Sequence, residues 1–205
     1  MSDMTLNKYK YKVIALYGKS AAGKDTVLKA TVKSNPHLNP IISCTTRPPR
    51  QGEVDGVDYH FLTDDEVMKL VVCHQMLEIT QFRGWYYGTP LSSLDITKFN
   101  IGVFNPEGII KLQQRNDIDL IKIEVYAPDK IRLIRSLNRE TNPDCEEICR
   151  RFMTDKTDWE KHQIEFDYDF WNLDDEPNQE QLNLFNYDDV IELLTNKGWL
   201  QAKIG

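Results

Sequence analysis

The chain has 205 residues, 40% hydrophobic and 28% charged, with a formal net charge of −7. That is enough apolar material for one α/β domain with small inserts, and the acidic balance argues against nucleic acid as a partner, whose binding surfaces carry a basic face. No apolar run approaches the ~20 residues of a membrane span, and Met1 to Lys12 lacks the apolar centre of a signal peptide, so a cytoplasmic protein with no membrane partner is expected.

In chain order, Val13–Tyr17 is an apolar run of strand formers that ends at Gly18, which predicts a buried parallel strand. A helix is predicted from Lys24 to Lys33, broken by Asn35, Pro36, Asn39 and Pro40. Pro40–Cys44 reads as a second short strand. From Thr45 to Gly88 prolines, glycines and alternating aromatic and charged residues suggest a small β-rich insert, with a helix over Asp64–Leu70 and a hairpin of Leu77–Phe82 and Trp85–Tyr87. The rhythm then returns: strand Ile101–Phe104, helix Pro106–Gln114, strand Leu120–Val125, helix Asp129–Leu137, a charged helix from Asp144 to about Ile164, strand Tyr168–Leu173 and helix Asp188–Thr195. Strands alternating with helices predict an α/β fold, a parallel sheet with helices on both faces. The acidic stretch Asp174–Asn186 carries no recognisable signal beyond a loop. Cys44, Cys73, Cys145 and Cys149 form no CxxC pair and have no histidine close by to complete a zinc set, so reduced thiols are expected.

Between the first strand and first helix stands Gly18-Lys19-Ser20-Ala21-Ala22-Gly23-Lys24-Asp25-Thr26, a GxxxxGK loop followed by Asp where Ser or Thr is usual. Glycines let the chain wrap so that successive N–H groups and the helix N-terminus face an anion. Lys24 then bridges the β- and γ-phosphates of a nucleotide. The bland alternative is a glycine-rich turn, but an apolar strand leads in and a helix follows. Asp25 either binds Mg²⁺, directly or through water, or serves as a negative charge favoured by the helix dipole. Thr26 offers its hydroxyl one residue late, about 100° round the helix.

Ser43-Cys-Thr-Thr-Arg47-Pro-Pro-Arg50-Gln-Gly-Glu53-Val-Asp-Gly-Val-Asp58-Tyr59-His-Phe61 holds two arginines three apart between prolines, a rigid cationic fork suited to phosphate. Tyr59 and Tyr87 add hydroxyls. Alone, two loop arginines are more often solvated charges. This segment, with Leu77-Glu78-Ile-Thr-Gln81-Phe82 and Gly84-Trp-Tyr-Tyr87-Gly88-Thr89, resembles the guanylate kinase family, and the resemblance runs from about Val13 to Asn172. It implies a P-loop NTPase core (12–44 and 98–205), an inserted β-rich acceptor subdomain (about 45–90) and a helical lid (about 138–165). It also implies that Arg47, Arg50, Tyr59 and Tyr87 grip the acceptor's phosphate, that Glu78 and Ser43 read the guanine edge, and that Thr89 keeps a hydroxyl beside them.

Arg132-Leu-Ile-Arg135-Ser-Leu-Asn-Arg139 resembles the stretch that opens the family's lid, and Arg150 or Arg151, with Arg151 favoured, stands near its later lid arginine. Asn172 resembles the family's asparagine near the ATP adenine. The resemblance thus implies catalytic roles for Lys24, Arg47, Arg135, Arg139 and Arg151, with ATP on Gly18–Thr26 and Asn172. One departure stands out. Where the family carries acidic residues before a QG pair, this chain has Val103-Phe104-Asn105-Pro106-Glu107-Gly108. Asn105 keeps hydrogen-bonding capacity toward the acceptor without charge, and Asp25 is the remaining candidate metal ligand.

The expected activity is Mg²⁺-dependent transfer of a phosphoryl group from ATP to GMP or dGMP, in a monomer or homodimer. The GKD variant also resembles some viral deoxynucleoside-monophosphate kinases, which keeps a broader acceptor range open. A catalytically inactive guanylate-kinase-like module that binds a protein is the different-class alternative. Retention of Lys24, Arg47, Arg50, Arg135 and Arg139 argues against it.

Overall fold

Strand β1 (Tyr11–Tyr17) is buried along Val13–Tyr17. Alternate strand residues point to opposite faces. Here Ile14 and Leu16 enter one hydrophobic cluster, while Val13, Ala15 and Tyr17 enter another. The strand is therefore the middle of a sheet covered on both sides, which is what its unbroken apolar run requires. The computed structural model describes residues 10–50, 52–82, 84–139, 142–173 and 187–198, so the acidic stretch 174–186 lies outside the described residues.

Five strands make the main sheet in the order β2 (Leu38–Pro40), β7 (Phe99–Val103), β1, β8 (Ile118–Tyr126), β9 (Tyr168–Trp171), all parallel. On one face, α1 (Lys24–Ser34) contributes Val27, α4 (Asp129–Asn138) contributes Ile131, and α6 (Tyr187–Asn196) contributes Leu193 and Leu194. On the other, α3 (Pro106–Gln113) brings Ile109 and Leu112, and α5 (Cys145–His162) brings Trp159, stacked on Tyr17 and Phe166. The α/β reading with helices on both faces holds.

A second, four-stranded sheet has the order β4 (His60–Phe61), β3 (Cys44–Thr45), β6 (Trp85–Pro90), β5 (Met76–Phe82). Strands β5 and β6 form the expected antiparallel hairpin. Helix α2 (Asp64–Val72) starts on a capping box in which Thr63 and Glu66 satisfy each other's backbone N–H. One expectation is corrected. The strand read at Pro40–Cys44 is two separate pieces. β2 ends at Pro40 on the sheet edge, where a residue without an N–H is tolerated, and β3 begins at Cys44 in the other sheet. Ile41 and Ile42 have strand propensity but serve as the crossing between sheets.

All four cysteines are free, and only Cys44 is buried. Among the described residues no helix is long and apolar enough to cross a membrane.

Candidate active site

The Gly18–Lys24 loop leaves the carboxyl end of the central strand, where ligands of open parallel sheets bind. Its glycines are forced. A Cβ on Gly18 would lie 2.2 Å from the Val125 carbonyl oxygen of β8, and one on Gly23, at φ +94°, would lie 2.4 Å from Asn172 Nδ2. Helix α1 then begins at Lys24, and its first N–H groups have no intrahelical partner. Lys24 Nζ folds back to donate to the carbonyls of Gly18 (2.8 Å) and Lys19 (3.1 Å). Desolvation holds its ammonium below the ordinary lysine range, opposed by Asp25 and Asp155. Asp25 and Thr26 stand exposed on the first turn.

Asn172 is 4% exposed. Its Nδ2 donates to the Ala22 carbonyl at 2.8 Å, and its Oδ1 accepts from Arg135 at 3.0 Å. Arg135 also donates to Ala22 at 3.3 Å. The pair expected at the nucleotide is thus seated against the back of the loop and shapes it.

On the second sheet, Arg47 is 8% exposed. Both ends of its guanidinium fork onto Glu53, at 2.6 and 2.7 Å, and it lies over the rings of Tyr59 and Phe61 at 5.2 and 5.6 Å. Glu53 also accepts from the Arg50 N–H at 2.7 Å, so one carboxylate organises the whole arginine turn. Its carboxyl is held below the usual range, first by the hydrogen bond from Arg47. Tyr59 meets Tyr87 edge-on at 6.4 Å, and its phenol is pushed up to about 12 by desolvation and then by the Asp25 charge.

Strand β5 places Glu78 at 8% exposure. Thr89 donates to its Oε1 at 2.9 Å, and since that uses the Thr89 proton, Ser43 Oγ, 3.3 Å away, is the donor to Thr89. Desolvation lifts Glu78 to about 7, opposed by Thr89 and by the charge of Lys111. Asn105 takes a different place from the one expected. Its Oδ1 caps α3 by accepting from the Gly108 N–H at 2.7 Å, and its Nδ2 donates to Thr80 at 2.8 Å, so both ends of the amide are engaged within the protein.

The two halves face each other through charge. Arg50 is held below the ordinary arginine range first by desolvation, then by the guanidiniums of Arg47, Arg151 and Arg139. Arg151 donates to Glu147 at 2.7 Å, and Arg150 forks onto the same carboxylate at 2.8 and 3.1 Å. Arg139 is exposed and makes no hydrogen bond or ion pair among the described residues.

The family model for guanylate kinase matches residues 10–183. The chain belongs to the guanylate kinase family. It is 32% identical over 166 residues to a guanylate kinase of Paramagnetospirillum magneticum, covering 79% of this chain and 77% of that protein. With a guanylate kinase of Maricaulis maris the figures are 30% over 193 residues, covering 92% and 88%. The crystal structure of a guanylate kinase from Anaplasma phagocytophilum shares the fold, with a TM-score of 0.62 at 20% identity over 95% of this chain and 89% of that one.

Against the guanylate kinase pattern, the structure adds residues that reading the chain passed over. Glu53 lies inside the Ser43–Phe61 segment, and its spacing of three from Arg50 is a usable signal. Asp155 and Arg132 both bond Ser20 of the loop. Arg132 was visible only as the start of an arginine stretch, and nothing near Asp155 in sequence marks it. For magnesium, the described residues hold no group of three or more His, Cys, Asp or Glu side chains that could form an all-protein cage. A single exposed carboxylate beside the loop does fit Mg²⁺, which keeps several waters and leans on substrate phosphates. Asp25 meets that description. Val103 is paired with Leu16 inside the sheet and offers no donor.

Proposed function

We infer that this chain phosphorylates GMP at the expense of ATP, with ATP on the Gly18–Lys24 loop and GMP on the second sheet. The observation that carries the acceptor assignment is Glu78, a buried carboxylate tied to a Thr89–Ser43 hydroxyl pair. Guanine presents N1–H and N2–H₂ donors on one edge, which a carboxylate accepts together, and an O6 acceptor to which the Ser43 hydroxyl can turn its one proton from Thr89. Adenine lacks that donor pair and would leave Glu78 desolvated with no ligand donor beside its Thr89 bond, a loss of about 1–3 kcal/mol. Arg47, Arg50, Tyr59 and Tyr87 hold the acceptor phosphate, and 45–90 is the acceptor-holding unit.

The reaction needs no general base. An oxygen of the GMP phosphate attacks the γ-phosphorus of ATP, the β–γ bridging bond breaks, and ADP leaves. Catalysis is positioning and charge neutralisation. Lys24 balances charge on the β- and γ-phosphates. Arg139 and Arg151, brought by the 138–165 lid, stabilise the transferring group, while Arg135 holds the loop from behind. Asp25 would hold Mg²⁺, which would neutralise charge on the phosphates. The same acceptor site takes dGMP, since every contact named falls on the base or the phosphate.

The test is ADP release with each common ribo- and deoxyribonucleoside monophosphate at millimolar Mg²⁺. Turnover with GMP and dGMP and little with others is expected. No turnover with any acceptor sinks the enzyme reading, and preference for TMP or dCMP sinks the guanine assignment.

A further inference from the structure

All three polar groups of Ser20, in the middle of the Gly18–Lys24 loop, are taken by side chains of α4 and α5. Its N–H donates to Asp155 Oδ2 at 2.8 Å and its hydroxyl to Asp155 Oδ1 at 3.1 Å. Its carbonyl accepts from Arg132 Nε at 2.9 Å. Arg132 closes the ring by donating to Asp155, and also donates to Asp129 at 2.8 Å. The Arg132 side chain is 2% exposed, with its guanidinium 4.6 Å from the centre of the Phe152 ring, and that of Asp155 is 18% exposed. A charge buried to that degree persists only when paired. Pairing alone does not require that both partners converge on the backbone of one loop residue.

We propose that Asp155 is a positioning residue for ATP: with Arg132 it forms a latch on Ser20 that holds the loop backbone and the lid-side arginines in one register. The proposal rests on reading the loop as the ATP site. Residues three or four apart share a helix face. Arg151 precedes Asp155 by one turn of α5, and Arg135 follows Arg132 by one turn of α4. One ion pair therefore aligns the loop with Arg135, which touches Ala22, and with Arg151, whose charge reaches Arg50. Asp155 is balanced by Arg132, and the second carboxylate on that guanidinium, Asp129, has a 65% exposed side chain, so the carboxylate that grips the loop is neutralised where it meets a polyanion.

The test measures ATP binding by calorimetry without acceptor, alongside steady-state kinetics, in Asp155→Ala and Asp155→Asn. The alanine variant is expected to lose about tenfold in ATP affinity and several-fold in kcat, with the KM for GMP within about twofold of wild type. Asparagine still accepts from Ser20 and is expected to recover most of the ATP affinity. Unchanged ATP affinity and kcat in Asp155→Ala, with only a lower Tm, overturns the proposal and leaves a plain structural ion pair. If Asp155→Ala fails to fold because buried Arg132 keeps only Asp129 as an ion-pair partner, the Arg132→Met, Asp155→Ala double variant removes both charges of the latch. There the same loss of ATP affinity supports the latch and wild-type binding overturns it. A wild type that binds ATP but never phosphorylates GMP sinks the acceptor reading while the Asp155 comparison still decides the latch, and a wild type that binds no ATP sinks both.

Discussion

The two sides of the site are made by different means. On the ATP side, backbone geometry dominates: Gly18 and Gly23 are required by close approach, and Lys24 rests on two loop carbonyls. On the acceptor side, side-chain charges dominate, and they come in two kinds. Arg47 is neutralised in place by Glu53, whereas Glu78 is buried against the hydroxyl and backbone N–H of Thr89, with the charge of Lys111 beyond. A loop of that type costs little to keep ready, because its donors are helix N–H groups. A buried carboxylate held for a ligand costs stability until the ligand arrives. The acceptor side should therefore be the one whose stability and affinity depend on pH and ligand.

Lys24→Met tests the ATP side and has the largest expected effect. Removing one preorganised cation from a developing charge lowers kcat by about 10²–10³. Stability should not fall, since the ammonium is already held below its ordinary range by desolvation. A kcat near wild type in steady-state assays would break the phosphate-loop reading.

Glu78 tests the acceptor side. In the folded chain its carboxyl lies at about 7 against an ordinary value of 4.5. The folded state therefore keeps its proton over a range where the unfolded state has lost it. Stability then falls as pH rises from about 4.5 to 7, and the loss, on the order of 3 kcal/mol, is complete above the folded value. Glu124, lifted to about 7 by desolvation and then by Asp169, adds a fall of the same sign. Glu78→Gln should flatten only part of the profile in denaturation measured from pH 5 to 8, and equal slopes in both proteins would remove Glu78 as a cause. Guanine needs the ionised carboxylate, so the wild-type KM for GMP should rise below pH 7 and that of Glu78→Gln should not. The variant should also lose guanine-over-adenine discrimination by about 1–3 kcal/mol, with ATP binding unaffected.

Glu53→Gln probes the other kind of acceptor charge. Without the carboxylate fork, Arg47 and the Arg50 backbone lose their common anchor. The KM for GMP should rise about tenfold, equivalent to ~1.4 kcal/mol, while the KM for ATP holds. An unchanged KM for GMP would mean the prolines and the Tyr59 and Phe61 rings place Arg47 unaided.

Much of this contrast was legible in the residues. Glycine geometry is written in residue identity, so the loop could be read directly, and the Arg47–Phe61 segment was distinctive enough to carry a family resemblance. The alternation of Val13–Tyr17 between two cores follows from a continuous apolar run. What escaped was long-range or ambiguous. Asp155 meets Ser20 from 135 residues away, and no local spacing encodes that. Arg150 and Arg151 are adjacent and chemically alike, and both reach Glu147. Strand propensity at Ile41–Ile42 pointed to a strand where the chain changes sheets.

Asn105 shows the same ambiguity at the scale of one side chain, and its substitution has the smallest expected effect. An asparagine before Pro106 can reach a ligand or cap a helix with the same amide. Here Oδ1 takes the Gly108 N–H and Nδ2 reaches Thr80, the residue two after Glu78 on β5. Asn105→Ala should therefore cost about 1 kcal/mol of stability, the usual worth of an N-cap, and lower Tm by about 2–4 °C for a chain of this size. Asn105→Asp keeps the cap oxygen and adds charge near a helix N-terminus, so it should retain most of that stability. Because Thr80 shares a strand with Glu78, a capping role predicts a change of under about twofold in the KM for GMP in both variants, well below the scatter a lost ligand hydrogen bond produces. A rise of tenfold or more in Asn105→Ala with Tm unchanged would reverse the assignment and place the amide at the acceptor, which would shift part of guanine recognition from β5 to the start of α3.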